Sequence, residues 1–118
     1  MVQKLDFTKT LLIGSIFYSR YSIVEDHSKG IFDKAKAEEL INRQEELADR
    51  FQIPLTLDVV AETGGAMVKY LDFILDYYDK PFVLDGYVDA RIAGVKYAVE
   101  HGAVNRIIQF DKHNEYEK

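Results

Sequence analysis

Apolar and polar positions alternate in blocks along the chain. From Thr10 to Tyr18 it reads TLLIGSIFY, an apolar run rich in β-branched and aromatic residues, which predicts a buried strand. A polar stretch follows, SRYSIVEDHSKGIF, long enough for a working loop. Between Asp33 and Phe51 the apolar positions Ala37, Leu40, Ile41, Leu47, Ala48 and Phe51 return at helical spacing with charges between them. That spacing predicts an amphipathic helix, with Asp33 as its N-cap. PLTLDVV, Pro54 to Val60, predicts a second strand, and Pro54 suits its first position because proline has no N–H to give to a ladder.

The second half repeats the pattern. After AETGG, the residues Met67, Tyr70, Leu71, Ile74 and Tyr78 mark one face of a helix from about Ala66 to Tyr78. KPFVLD, ending at Asp85, predicts a third strand. Asp89 is expected to cap a third helix whose apolar face is Ile92, Val95, Ala98 and Val99, with Gly102 as its C-terminal stop. NRIIQF, Asn105 to Phe110, predicts a fourth strand. The order βαβαβαβ specifies an α/β fold, with a parallel sheet, right-handed crossovers and covering helices. Two architectures satisfy it: a small open sheet with helices on both faces, or half of a (βα)8 TIM-type barrel, which needs about 250 residues when complete. Tyr70, Tyr77, Tyr78 and Tyr97 read as packing between helices and sheet.

Composition narrows the picture. With 118 residues, 47% of them hydrophobic, the chain has enough material for one domain with a real core, residues 1–9 being an N-terminal extension and 111–118 a charged tail. A net charge of -5 argues against nucleic acid or an anionic membrane surface as the main partner. The absence of cysteine excludes disulfides, zinc–thiolate sites, iron–sulfur clusters and a cysteine nucleophile within this chain. No apolar leader opens the sequence and no apolar run is long enough to cross a bilayer, so a soluble cytoplasmic protein without membrane insertion is expected. His27, His101 and His113 lack metal-ligand spacing and read as surface residues; no metal site is expected.

The acids near the strand ends carry the chemistry. Asp58 lies in the second strand, Asp85 ends the third, and Glu62 follows just beyond the second. Neighbouring strands run about 5 Å apart, so these carboxylates share one rim, at the strand ends where parallel folds bind ligands. A structural reading has them capping the following helices and meeting their N-terminal dipoles. A functional reading has a carboxylate offering two parallel acceptors to an amidine-like donor edge, such as a pterin presents. ETGG looks like a phosphate-cradling glycine pair, yet Glu62 opposes an anion and the spacing fits no P-loop. The polar loop, with Arg20, Tyr21, His27 and Lys29, reads either as a lid over the rim or as a solvated connection.

Three segments, TLLIGSIFYSRYSIVEDHSKGIFDKAKAEELINRQEELAD, DVVAETGGAMVKYLDFI and PFVLDGYVDARIAGVKYAVEHGAVNRII, resemble in order the N-terminal part of the H subunit of tetrahydromethanopterin S-methyltransferase and its relatives. The resemblance runs from Thr10 to Ile108. It implies part of a barrel that continues through further strands in the family. It also implies methyl transfer between a methylated tetrahydropterin, tetrahydromethanopterin or tetrahydrofolate, and the cobalt of a cobalamin-type corrinoid held on a partner protein. Carried over by position, Asp58 and Asp85 are expected to bind the pterin, with Glu62 as a further candidate. One departure stands out: where relatives read YNS at the end of the fourth strand, this chain reads QFD, which sets Phe110 in place of the asparagine, so either the register shifts and Gln109 or Asp111 serves, or pterin binding is altered. Half a barrel leaves sheet edges and inward-facing apolar residues uncovered, so a second copy or a second chain completing the barrel is expected besides the corrinoid protein. The alternative is a non-catalytic relative that binds and regulates or completes a methyltransferase complex; no motif supports an enzyme of other chemistry.

Overall fold

Three parallel strands form the centre of the structure, a computed structural model that describes residues 3–4, 12–18 and 21–109. In chain order the elements are β1 (Gln3–Lys4), β2 (Leu12–Ile16), β3 (Val24–Asp26), β4 (Ile31–Phe32), α1 (Lys34–Phe51), β5 (Leu55–Ala61), α2 (Gly64–Tyr77), β6 (Phe82–Gly86), α3 (Val88–Glu100), a short 3-10 turn (Val104–Arg106) and β7 (Ile108–Gln109). β2, β5 and β6 pair in that order, all parallel, as the alternation of strand and helix signals requires. A single bridge from Phe82 to Ile107 brings the approach to β7 alongside β6, and β1 runs parallel to β7. The start of the expected N-terminal extension thus supplies a short strand. The end of the expected fourth strand at Phe110, the charged tail with His113, and Arg20 lie outside the described residues.

Period-two alternation sorts the sheet into two faces. Register places Gly14, Leu57 and Phe82 on one face, followed on the same side by Ile16, Val59 and Leu84. All three helices lie there. A Cβ at Gly14 would fall 2.0 Å from the Gln44 side chain of α1, and a Cβ at Gly94 of α3 would fall 3.0 Å from both Leu84 and Met67 of α2. The buried core gathers on this side: Ile16, Leu57, Val59 and Phe82 from the sheet against Ala37, Ile41, Met67, Leu71 and Ile74 from the helices. Among the described residues, then, helices cover one face of the sheet and not both.

Helix starts follow capping chemistry. Asp33 caps α1 as expected, accepting from the Lys36 N–H at 3.1 Å. Thr63 caps α2 by accepting from the Ala66 N–H at 3.0 Å, which starts that helix at Gly64, ahead of the first bulky apolar residue. Each such cap is worth about 1 kcal/mol. Gly102 follows α3 with φ +67, the left-handed geometry that ends helices, and the Ala103 N–H returns to the Ala98 carbonyl at 2.8 Å.

Several expectations are corrected. Tyr87, not Asp89, occupies the N-cap position of α3 and makes no side-chain cap; Asp89 sits in the first turn, where its charge meets the helix dipole. The inward face of α3 is Ala90, Gly94 and Ala98, while Ile92, Val95 and Val99 are 51%, 43% and 58% exposed. Small residues let α3 settle close against β6 and α2, which turns the bulky ones outward. Leu47 and Phe51 of α1 are likewise exposed. Tyr70 and Tyr78 are buried, as helix-to-sheet packing requires, but Tyr77 is partly exposed and donates to Asn42 Oδ1 at 2.8 Å. The polar loop contains the antiparallel hairpin β3–β4, turned by Asp26, whose Oδ1 accepts from the N–H of Ser28 and of Lys29 at 3.1 Å each.

Replacing Gly94 with valine is expected to cost about 2 kcal/mol or more through overpacking, whereas Ile92→Gln should stay within about 0.5 kcal/mol. Urea unfolding of the two variants checks both, and the reverse order would mean that the bulky face of α3 points inward.

Candidate functional site

The alternation that buries Leu57 and Val59 sends Asp58 and Val60 to the opposite face, where no helix of the described residues lies. Register sets Asp58 between Ser15 on β2 and Val83 on β6, and sets Asp85 beside Val60. The two predicted aspartates thus share one face near the C-terminal ends of adjacent strands, joined by a serine that sequence spacing did not reveal. The end of β6 is drawn in tightly: Gly86 has φ +113, and a Cβ there would fall 1.9 Å from the Ala61 carbonyl oxygen. Only glycine permits this approach.

The electrostatics of the pair follow from this placement. Ser15 Oγ donates to Asp58 Oδ2 at 3.3 Å, while Asp58 Oδ1 is buried with no hydrogen-bond partner among the described residues. Asp85 is exposed, and its Oδ1 accepts from the Gly86 N–H at 2.7 Å. Burial raises the Asp58 pKa to about 6, helped by the charge of Asp85 and by its approach within hydrogen-bonding range, and opposed by the Ser15 hydroxyl. Asp58 therefore gives up its proton closer to neutrality than an ordinary carboxyl does. It offers acceptors and, when protonated, a donor.

Glu62 stands apart from this pair. Just past β5 it meets His27 Nδ1 at 2.9 Å, on the turn between β3 and β4. A second link runs from Thr63 Oγ1, which donates to the Ser28 carbonyl at 2.7 Å. The hairpin is thereby fastened to the turn that follows β5, so the loop is more than a solvated connection. Beneath it lies a cleft of about 350 Å³ bordered by Phe17, Tyr18, His27, Glu62, Tyr70 and Tyr87. His101 stacks on Tyr97 with ring centroids 4.0 Å apart, away from this cleft. No group of three or more histidine and acidic side chains is placed to hold a metal ion among the described residues. No helix there is long and apolar enough to cross a membrane.

A raised carboxyl pKa has a definite sign in stability. The folded state binds the Asp58 proton more tightly than the unfolded chain does, so its contribution falls as pH rises from about 4 toward 6 and the cost is complete above that range. Asp58→Asn removes the charge, and at pH 8 it should stabilise the fold by on the order of 1 kcal/mol after solvent screening is allowed for. The gain should shrink toward zero at pH 4; thermal midpoints across this range check it, and a gain independent of pH would refute the charge origin.

Comparison with known proteins places this geometry. A family profile described as the tetrahydromethanopterin S-methyltransferase MtrH subunit matches residues 6–117. The H subunit of tetrahydromethanopterin S-methyltransferase from Methanothermobacter marburgensis is 47% identical over 100 residues, which cover 84% of this chain and 32% of that one. The corresponding H subunits of Methanocaldococcus jannaschii and Methanopyrus kandleri are 46% and 41% identical, each over 84% of this chain and 31% of their own length. The chain spans about a third of the length of the curated relatives it matches. A parallel α/β unit with its acids gathered near the strand ends, matched along nearly all its length, belongs to the MtrH family of tetrahydromethanopterin S-methyltransferase subunits.

Proposed function

We propose that this chain carries the pterin-binding rim of a methyltransferase that moves a methyl group between a methylated tetrahydropterin and the cobalt of a corrinoid held on a partner protein. Tetrahydromethanopterin is the carrier named in its relatives, and tetrahydrofolate presents the same ring edge. The observation that carries the reading is the Asp58–Asp85 pair. Its buried Oδ1 without a donor suits a ligand that brings N–H groups, and paired acceptors suit the amidine-like edge of a pterin.

The residues have the chemistry the reaction asks for. A methyl on a tertiary amine leaves poorly unless that nitrogen takes up a proton or is polarised as the bond breaks. Asp58, whose pKa burial raises to about 6, lies beside Asp85 on the ring edge and carries its proton in a minority of molecules near neutrality. Asp85, exposed beside it, is the acceptor that fixes the ring and so aims the methyl group. Glu62 acts by anchoring the hairpin through His27 rather than by touching the ring. The corrinoid supplies the methyl-accepting cobalt when its protein docks, so this chain needs no metal of its own.

The same face supports a barrel reading. Consecutive strands that lie adjacent, with the helices of the described residues all on one side, suit the winding of a (βα)8 segment whose acid face is the barrel interior. A second copy or a complementary chain then covers that interior. A second reading, in which a non-catalytic relative completes or regulates a methyltransferase complex, is favoured by the resemblance, which implies that Phe110 stands where relatives carry an amide.

Calorimetric titration with methyl-tetrahydromethanopterin and methyl-tetrahydrofolate tests the proposal. Saturable binding at micromolar level is expected, with Asp85→Ala weakening it by about 30-fold or more, the scale of a lost charge-assisted contact. Absence of heat from a folded sample, or unchanged affinity in Asp85→Ala, would leave the non-catalytic reading in its place.

A further inference from the structure

The cleft beneath the hairpin is not used by the acid pair. It is bordered by the hairpin turn, by Val60 and Gly86 at the ends of β5 and β6, and by the start of α3. At about 350 Å³ it is near the lower end of ligand-pocket volumes, about 300–1,000 Å³, and has room for one substituted ring.

Its walls are aromatic. Phe17 and Tyr70 lie face to face, centroids 4.1 Å apart and planes 3° apart, and form a buried base. Above them Tyr18 and Tyr87 are 40% and 69% exposed. Tyr87 occupies the N-cap position of α3 without capping it, so neither core packing nor helix initiation accounts for a ring there. Tyr70 adds a separate sign. It is fully buried and its hydroxyl has no hydrogen-bond partner among the described residues, although it borders the cleft. Burial, then the charges of Glu62 and Asp26, push its pKa up to about 12, so the hydroxyl remains a donor waiting for an acceptor.

The cleft opens next to the acids, because Val60 on its border is the register partner of Asp85. We infer that it takes the aryl ring of the side arm that a tetrahydropterin carries, held between Tyr18 and Tyr87 while the pterin ring lies on Asp58 and Asp85. This rests on the pterin reading of the acid pair. Stacking suits a flat uncharged ring. The Tyr70 hydroxyl suits a carbonyl or ether acceptor on the arm, and Glu62 at the border turns an anionic tail outward into solvent.

Two probes separate the parts: 6-methyltetrahydropterin, which has the ring alone, and tetrahydrofolate, which adds the aryl arm. The arm is expected to strengthen binding about tenfold or more. Tyr87→Ala should remove most of that gain and leave the affinity for 6-methyltetrahydropterin unchanged, and Tyr70→Phe should weaken tetrahydrofolate alone. Tyr87 is exposed, so its variant retains the fold, which an unchanged thermal midpoint verifies. If the bare pterin binds and the arm adds nothing, or if Tyr87→Ala weakens both probes equally, the cleft assignment is overturned while the acid pair stands. If neither probe binds to folded protein, the pterin reading falls and the cleft assignment with it.

Discussion

The register of β5 between β2 and β6 governs the rest of the structure. With Ser15 opposite Asp58 and Val60 opposite Asp85, Leu55, Leu57 and Val59 of β5 face the helices, while Val60 and both aspartates face away. A slip of β5 by one residue would drive the Asp58 carboxylate into the core and expose Leu57 and Val59. Burying a carboxylate without partners costs far more than a single contact returns, so the same alternation that builds the core also places the acids. Glycine at position 86 completes the arrangement by letting the end of β6 lie against the Ala61 carbonyl, where any side chain would collide.

Much of this was legible along the chain because strand and helix periods are local signals. The runs around Ile16, Val59 and Val83 read as strands, and Asp33 as a cap, from neighbours a few residues away. What was illegible depends on contacts between distant segments. α3 has two faces that each look apolar, Ala90–Gly94–Ala98 and Ile92–Val95–Val99, and only the close approach to Leu84 and Met67 decides which one turns inward. The β3–β4 hairpin has strands of three and two residues, too short for an alternation to show. Asp58 and Asp85 could be placed on one rim from strand ends alone. Ser15 joins them through register, and Glu62 leaves them because His27 reaches it from a turn without periodicity.

Asp58 also shows how a site departs from the rules that otherwise shape a fold. An apolar or amide side chain there would relieve a half-buried carboxyl of its neighbour's charge, and the fold would gain stability at neutral pH. Such local conflicts concentrate at functional positions, where the chemistry requires what packing alone would remove. The conflict stays small because the face is half open and the Ser15 hydroxyl answers one carboxylate oxygen.

Thr63 has a consequence beyond capping. Its single hydroxyl oxygen accepts from the Ala66 N–H and donates to the Ser28 carbonyl, so the first turn of α2 and one of the two fastenings of the hairpin share an atom. Local openings in proteins occur in cooperative units, and this oxygen joins two segments 35 residues apart into one such unit. Fraying of the helix start therefore loosens the hairpin on one of its two fastenings. Entry to the cleft is thereby coupled to the stability of the helix start as well as to the loop.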